Sequence, residues 1–295
     1  MTSSTSVLTF FPDTTGCLRA YRLLRAAAQP AQRPLTDPPD AADINPFGEI
    51  LEHAITAKMS CLVADWLTRN GHTQPMPRPM QQFLRNLVRL NTYRSRVHHR
   101  EAVRIIAELR AAGIPAAAIN GIAHAALLYQ RGLRQSSDVD VLVPADRAAD
   151  AAAVLTTRGY YSTDRRSTAL HRDFDDPLVP GLTLDLTSRL AHTDDPQTID
   201  VILSRVVEVT AADEDDGPLT VLDRRDGFIH TLARTARQRR WPALADAMHY
   251  AVDGLGDYGP QSALPPAALA GWHLVLQCRG HAGPPVTHDN MPEQN

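Results

Sequence analysis

Lysine is all but missing from this chain. Of the 30 basic residues among its 295, one is lysine, Lys58, and the others are arginine. A P-loop lysine or a kinase-type strand lysine would have to be Lys58, and its surroundings, ITAKMSC, fit neither pattern. Cysteine is scarce too. Cys17, Cys61 and Cys278 are odd in number and far apart, which gives neither a disulfide framework nor a zinc-ligand spacing. No apolar run is long enough to span a bilayer. The opening MTSSTSVLTFFPDTTG lacks a basic stretch followed by a long apolar one. Neither a membrane segment nor a signal peptide is expected, and the cytoplasm is the expected compartment. A formal net charge of −3 argues against general nucleic-acid binding.

What is present is an ordinary globular composition, 43% hydrophobic and 21% charged, long enough for one large domain or two small ones. Residues 1–45, with QPAQRPLTDPPDAAD, read as a flexible tail carrying one helix at CLRAYRLLRAAA. Residues 46–113 read as a helical segment. Leu51, Ile55, Met59, Leu62 and Trp66 recur at helical spacing up to Gly71, and a longer helix runs from MQQFLRNL to Gly113. The period then changes. In 114–223, IPAAAI reads as a strand, GIAHAALLYQRG as a helix opened by Asn120-Gly121, DVDVLVP as a strand and ADRAADAAAVLTTRG as a helix. YYSTDR, ALHRDFD and LTLDLTSRL read as further strands, and VVEVTAADEDDGPLTVL as a hairpin or loop pair. Residues 224–280 are helical again, and 281–295 read as a disordered tail. The expected fold class is α+β, a mixed β-sheet core flanked by N-terminal and C-terminal helical segments.

Chemistry concentrates in SSDVDVLVP, residues 136–144. Side chains alternate along a strand, so Asp138 and Asp140 share one face while Val139, Val141 and Val143 face the core. Two carboxylates that close repel each other, and something positive must offset them, either an arginine or a divalent metal. Asp185, in LTLDLTSRL, is a lone acid between Leu184 and Leu186 and shares a face with Thr183 and Thr187. Were its strand beside the first, three carboxylates would converge, which suits two metal ions in phosphoryl or nucleotidyl transfer. Upstream, strand, tight turn and helix meet at Asn120-Gly121, where a helix start offers N–H groups to an anion.

These residues carry a resemblance. GIPAAAINGIAHAALLYQRGLRQSSDVDVLVPADRAADAAAVLTTRGY resembles the core of the DNA polymerase beta-like nucleotidyltransferase superfamily. Within it, the chain is most similar to the bacterial family of uncharacterised nucleotidyltransferases. The carrying residues are Gly113-Ile114, Gly121, Tyr129, Arg134, Asp138 to Val143, Gly159-Tyr160 and Asp185-Leu186. Asn120 stands where that family has lysine, and Thr187 where it has histidine. The resemblance implies a nucleotidyltransferase-type sheet and an enzyme that moves an NMP from an NTP, ATP among them, to an acceptor hydroxyl on a small molecule or protein, releasing pyrophosphate. It implies Mg²⁺, two ions with Mn²⁺ as a substitute, held by Asp138, Asp140 and Asp185, with Asp185 also helping to deprotonate the acceptor. It assigns Asn120, Gly121, Arg134, Ser136 and Ser137 to the nucleotide.

The alternatives are a catalytically degenerate nucleotide- or partner-binding protein of the same fold, and an Asp-x-Asp glycosyltransferase. The glycosyltransferase would need a long βαβ half before the Asp pair, where this chain is mostly helical. His98 and His99 diverge on a helix and read as surface. His230, Arg237, Arg239, Arg240 and Trp241 read as a basic patch or a solvated helix face. DEDDG, 213–217, reads as a solvated loop rather than a calcium loop.

Overall fold

The computed structural model describes residues 18–31, 39, 47–168, 171–175, 182–210, 217–251 and 264–279. The chain divides into two compact units, residues 92–227 and residues 1–91 with 228–295. No described helix is long and apolar enough to cross a membrane.

The second of these units is helical. It contains α1 (Leu18–Ala27), α2 (Phe47–Thr56), α3 (Ser60–Arg69), the start of α4 (Arg78–Ala111), most of α8 (Arg224–Gln238), α9 (Trp241–Tyr250) and α10 (Pro266–Cys278). Within the stretch expected to be a flexible tail, α1 buries Ala20, Leu23 and Leu24 completely, and Arg25 Nε donates to the Cys278 carbonyl at 2.6 Å. The expected tail at 281–295 lies outside the described residues. Trp241 is wholly buried with the Tyr21 ring 5.6 Å away, and Phe228 meets Tyr250 and Trp272. Gly271 lets α10 close on α8, since a Cβ there would lie 1.9 Å from the Leu232 carbonyl oxygen.

The apolar spacing from Leu51 to Trp66 predicts one helix; two form. Lys58 adopts φ 54°, Met59 N–H reaches back to Ala54 O at 2.8 Å, and Lys58 N–H to Ile55 O at 2.9 Å. These are the paired bonds of a helix end closed by a left-handed residue, a place usually held by glycine. The turn buries Met59 and leaves Ile55 half-exposed, so the continuous stripe does not exist.

Residues 92–227 carry the sheet: β1 (Ala117–Ile119), β2 (Asp138–Leu142), β3 (Tyr161–Thr168), β4 (His171–Asp175), β5 (Thr183–Thr187), β6 (Val207–Val209) and β7 (Leu219–Val221). The order is β3-β4-β5-β2-β1-β7-β6. β2 pairs with β5 and β1 with β7 in parallel, and the other neighbours are antiparallel. The hairpin-or-loop segment is thus the antiparallel pair β6–β7, although 211–216, with most of the acidic loop, lie outside the described residues.

Alternation sorts the two faces. Val139, Val141, Val143, Leu184 and Leu186 join one core with Ile105 and Leu109 of α4, Ile122 of α5 (Asn120–Leu128) and Leu155 of α6 (Ala148–Thr157). Full burial of each such side chain contributes roughly 1.5–3 kcal/mol. On the opposite face Ala117, Ile119 and Leu142 pack with Ile199, Ile202 and Leu203 of α7 (Pro196–Leu203). That helix was not expected from the sequence. Its signal was Asp195-Pro196: the Asp195 carboxylate accepts from Thr198 N–H at 2.8 Å and proline occupies the first turn. Since α7 covers the face at Leu142, the acidic residues fall on the part of that face nearer the start of β2.

Candidate active site

The β2–β5 register sets the centre. Parallel pairing places Asp140 opposite Asp185, with Asp138 two residues earlier opposite Thr183. Asp138 and Asp140 are partly exposed and Asp185 is buried. The antiparallel β4–β5 pairing then places Asp173, also buried, opposite Asp185 from the other side. Sequence reasoning missed Asp173. The alternation of HRDFD around Phe174 marks it as facing away from the core, but only the strand register makes it a neighbour of Asp185.

Four carboxylates on adjacent strands produce strong repulsion. The Asp185 carboxyl is pushed up to about 8, first by burial, then by the charges of Asp140, Asp138 and Asp173 and by a hydrogen bond with Asp173. No arginine is among the causes that set its proton affinity. Arg134 is buried and donates to the Gln135 carbonyl.

The loop before β2 holds Asp138 from both sides. Ser136 Oγ donates to the Asp138 carbonyl at 2.9 Å and lies 3.3 Å from Oδ1, while Ser137 Oγ lies 3.2 Å from Oδ2. The turn into α5 packs under this loop. A Cβ on Gly121 would lie 2.3 Å from Ser136 Oγ and 2.9 Å from Ser136 Cβ, so the close approach that requires glycine is to Ser136 itself. Asn120, buried at the first position of α5, takes φ 57°, a conformation asparagine tolerates better than most residues. The residue before it, Ile119, has no side-chain acceptor, so the start of α5 carries no side-chain cap on its N–H groups.

The histidines expected at the surface are not there. His98 and His99 are 3% and 2% exposed. They sit on the part of α4 that packs into the sheet unit, where adjacent residues can both be covered, and His99 Nε2 lies 3.5 Å from the Gly217 carbonyl. Burial, then the Arg94 guanidinium, hold the His98 imidazole down at about 4 against the opposing influence of Asp138. His98 therefore lies within electrostatic reach of Asp138. His124 is buried on α5, and burial also lowers the proton affinity of His192. The side chain of His171 lies outside the described residues.

The family model described as "Uncharacterised nucleotidyltransferase" matches residues 45–250, most of the chain. The chain belongs to this nucleotidyltransferase family. No curated protein matches it. Among solved structures, the antibiotic-resistance factor ANT(2'')-Ia is similar at 14% identity over 63% of this chain and 84% of that one, with a TM-score of 0.34. An antigenic nucleotidyltransferase-like protein from Paracoccidioides brasiliensis is similar at 11% identity over 59% of this chain and 92% of that one, with a TM-score of 0.35.

The C-terminal basic stretch of this chain is not one surface patch. His230 is 5% exposed and Trp241 fully buried in the helical unit, while Arg240 is exposed. The indole belongs to the core there.

The donor chemistry of Asp138, Asp140 and Asp185, all hard oxygen ligands on one face, suits a divalent cation such as Mg²⁺. Among the described residues, however, no three His, Cys, Asp or Glu side chains stand close enough to hold an ion together. The backbone register brings the carboxylates alongside one another, and their electrostatic influence on Asp185 acts over longer range than a shared coordination shell.

Proposed function

We propose that this protein is a Mg²⁺-dependent nucleotidyltransferase that transfers an NMP from an NTP to an acceptor hydroxyl on a small molecule or protein. The observation that carries this reading is the parallel β2–β5 register, which aligns Asp140 with Asp185 and puts Asp138 on the same face. Family membership supports the reaction class, and the repulsion of Asp185 by Asp140, Asp138 and Asp173 supports a cation at this face.

In the proposed step the acceptor oxygen attacks the α-phosphorus and a new P–O bond forms. The bond from the α-phosphorus to the bridging oxygen breaks, and pyrophosphate leaves with the electron pair. The acceptor proton passes to the Asp185 carboxylate, which a bound cation would keep ionised against the repulsion of its acidic neighbours. Asp138 and Asp140 would hold Mg²⁺, with Mn²⁺ as a substitute and a second ion bound with Asp185; the metal would offset phosphate charge and orient the triphosphate. Ser136 and Ser137 keep the Asp138 carboxylate in place, and the start of α5 at Asn120 and Gly121 offers N–H groups to phosphate oxygens. Arg134, buried and bonded to the neighbouring carbonyl, fits support of that loop better than direct phosphate binding.

Thermal unfolding with each common NTP, with and without Mg²⁺, tests the reading. At about a hundred times its dissociation constant a ligand stabilises by roughly 2.7 kcal/mol. A Mg²⁺-dependent shift that disappears in Asp138→Ala/Asp140→Ala is expected; no shift with any nucleotide refutes the proposal. A second reading, a nucleotide-binding protein without turnover, is favoured by the ungathered carboxylates and the Asp173–Asp185 hydrogen bond. Mg²⁺-dependent nucleotide binding with no pyrophosphate release across an acceptor panel would select it.

A further inference from the structure

The acidic face raises a question of charge. An NTP brings about four more negative charges to strands that already hold Asp138, Asp140, Asp173 and Asp185. Even two divalent cations leave a negative excess, which a cationic side chain over the phosphates would reduce. Arg134, in the loop before β2, is buried and donates to the Gln135 carbonyl.

Arg94 is placed differently. It is exposed on α4, within the sheet unit, and its Nη2 lies 3.4 Å from the Ser137 carbonyl, a long hydrogen bond. Ser137 is the residue before Asp138, and its own hydroxyl reaches Asp138 Oδ2. His98, one helical turn after Arg94, lies within electrostatic reach of both the Arg94 guanidinium and the Asp138 carboxylate. A guanidinium carries five N–H donors in a rigid fork. Among the described residues Arg94 makes only this one hydrogen bond, which leaves most of the fork for phosphate oxygens.

We infer that Arg94 is a triphosphate-binding residue of this site, its guanidinium held at the entrance to β2 by the Ser137 carbonyl and supplying the cation that lysine does not. The inference rests on the nucleotidyl-transfer reading. It assigns to α4, outside the strand–turn–helix motif, a direct part in binding the β- and γ-phosphates.

The test is calorimetric titration of Mg²⁺-NTP, and of Mg²⁺ with inorganic tripolyphosphate, into the full chain and into Arg94→Met, Arg94→Lys and Asp138→Asn/Asp140→Asn. Charge-assisted hydrogen bonds of this kind correspond to a loss of roughly 10- to 100-fold in affinity. Arg94→Met is expected to weaken NTP and tripolyphosphate by a similar factor, with its unfolding temperature unchanged, and Arg94→Lys to recover part of the loss. If the wild type binds NTP, the double Asp variant does not, and Arg94→Met binds as the wild type does, Arg94 only ties α4 to the loop and the inference falls alone. A loss for NTP with none for tripolyphosphate overturns it as well. If the wild type binds no NTP in Mg²⁺, the underlying nucleotidyl-transfer reading fails and this one with it.

Discussion

Replacing Gly121 with alanine should loosen the loop that holds Asp138, and the structure supplies the size of the effect. The added Cβ would lie 2.3 Å from Ser136 Oγ and 2.9 Å from Ser136 Cβ. Ser136 cannot simply rotate away, because its hydroxyl donates to the Asp138 carbonyl and meets Oδ1. Overpacking of this kind destabilises by about 1–3 kcal/mol, and losing a hydrogen bond to a charged group costs a further 1.5–3 kcal/mol or so. Alanine's better helix propensity returns at most about 1 kcal/mol. A net loss of about 2–4 kcal/mol is expected for Gly121→Ala. In a Ser136→Gly background the nearest remaining atom is the residue 136 Cα, at 3.6 Å, which is ordinary contact. There the same substitution should be neutral or stabilising by up to about 1 kcal/mol. Urea unfolding of the four proteins gives the interaction energy, expected at about 3 kcal/mol. Additivity within about 0.5 kcal/mol would refute the claim that Gly121 is demanded by Ser136.

Asp185 should make stability fall with rising pH when divalent cations are absent. Its proton is held up to about 8 in the folded chain against an ordinary 3.8, so its stabilising contribution is complete below about 4 and lost through about 8. About four pH units at about 1.4 kcal/mol each set a ceiling of about 6 kcal/mol. Asp185→Asn should remove this slope, and parallel curves for the two proteins would contradict the assignment. His98 acts in the opposite sense: its folded value of about 4 lies below the ordinary 6.5, so stability is lost as pH falls from 6.5 toward 4, by up to about 3 kcal/mol, and His98→Gln should flatten that acid limb in urea titrations at fixed pH. Trp241→Ala should destabilise the helical unit by about 3–5 kcal/mol, since the indole is wholly buried beside Tyr21. A loss below about 1 kcal/mol in the free energy of urea unfolding would show that the ring is not part of that core.

Local physics made much of the fold legible. Strand periodicity alone puts Asp138 and Asp140 on one face and Val139, Val141 and Val143 on the other, because successive side chains must alternate. The strand–turn–helix at Ile119 to Gly121 follows from the change of period and the Asn-Gly pair. The near-absence of lysine likewise excludes whole classes of phosphate site on composition alone. Three things depended on relations between distant segments. Which strand lies beside β2 decides that Asp185 stands level with Asp140, and the β4 register adds Asp173, which nothing in HRDFD distinguishes from a solvated acid. The burial of His98 and the reach of Arg94 to Ser137 arise from how α4 lies within the sheet unit, a long-range packing that no window of sequence contains. The break at Lys58 opposes an apolar period that reads as one helix; burying Met59 requires a left-handed turn there, and only the surrounding core rewards it. The sequence determined most of the elements, α7 and the break at Lys58 apart, and the chemistry each could bear. Tertiary structure decided which carboxylates, and which arginine, share one place, since strand register and helix docking are set by the whole core rather than by any one segment of it.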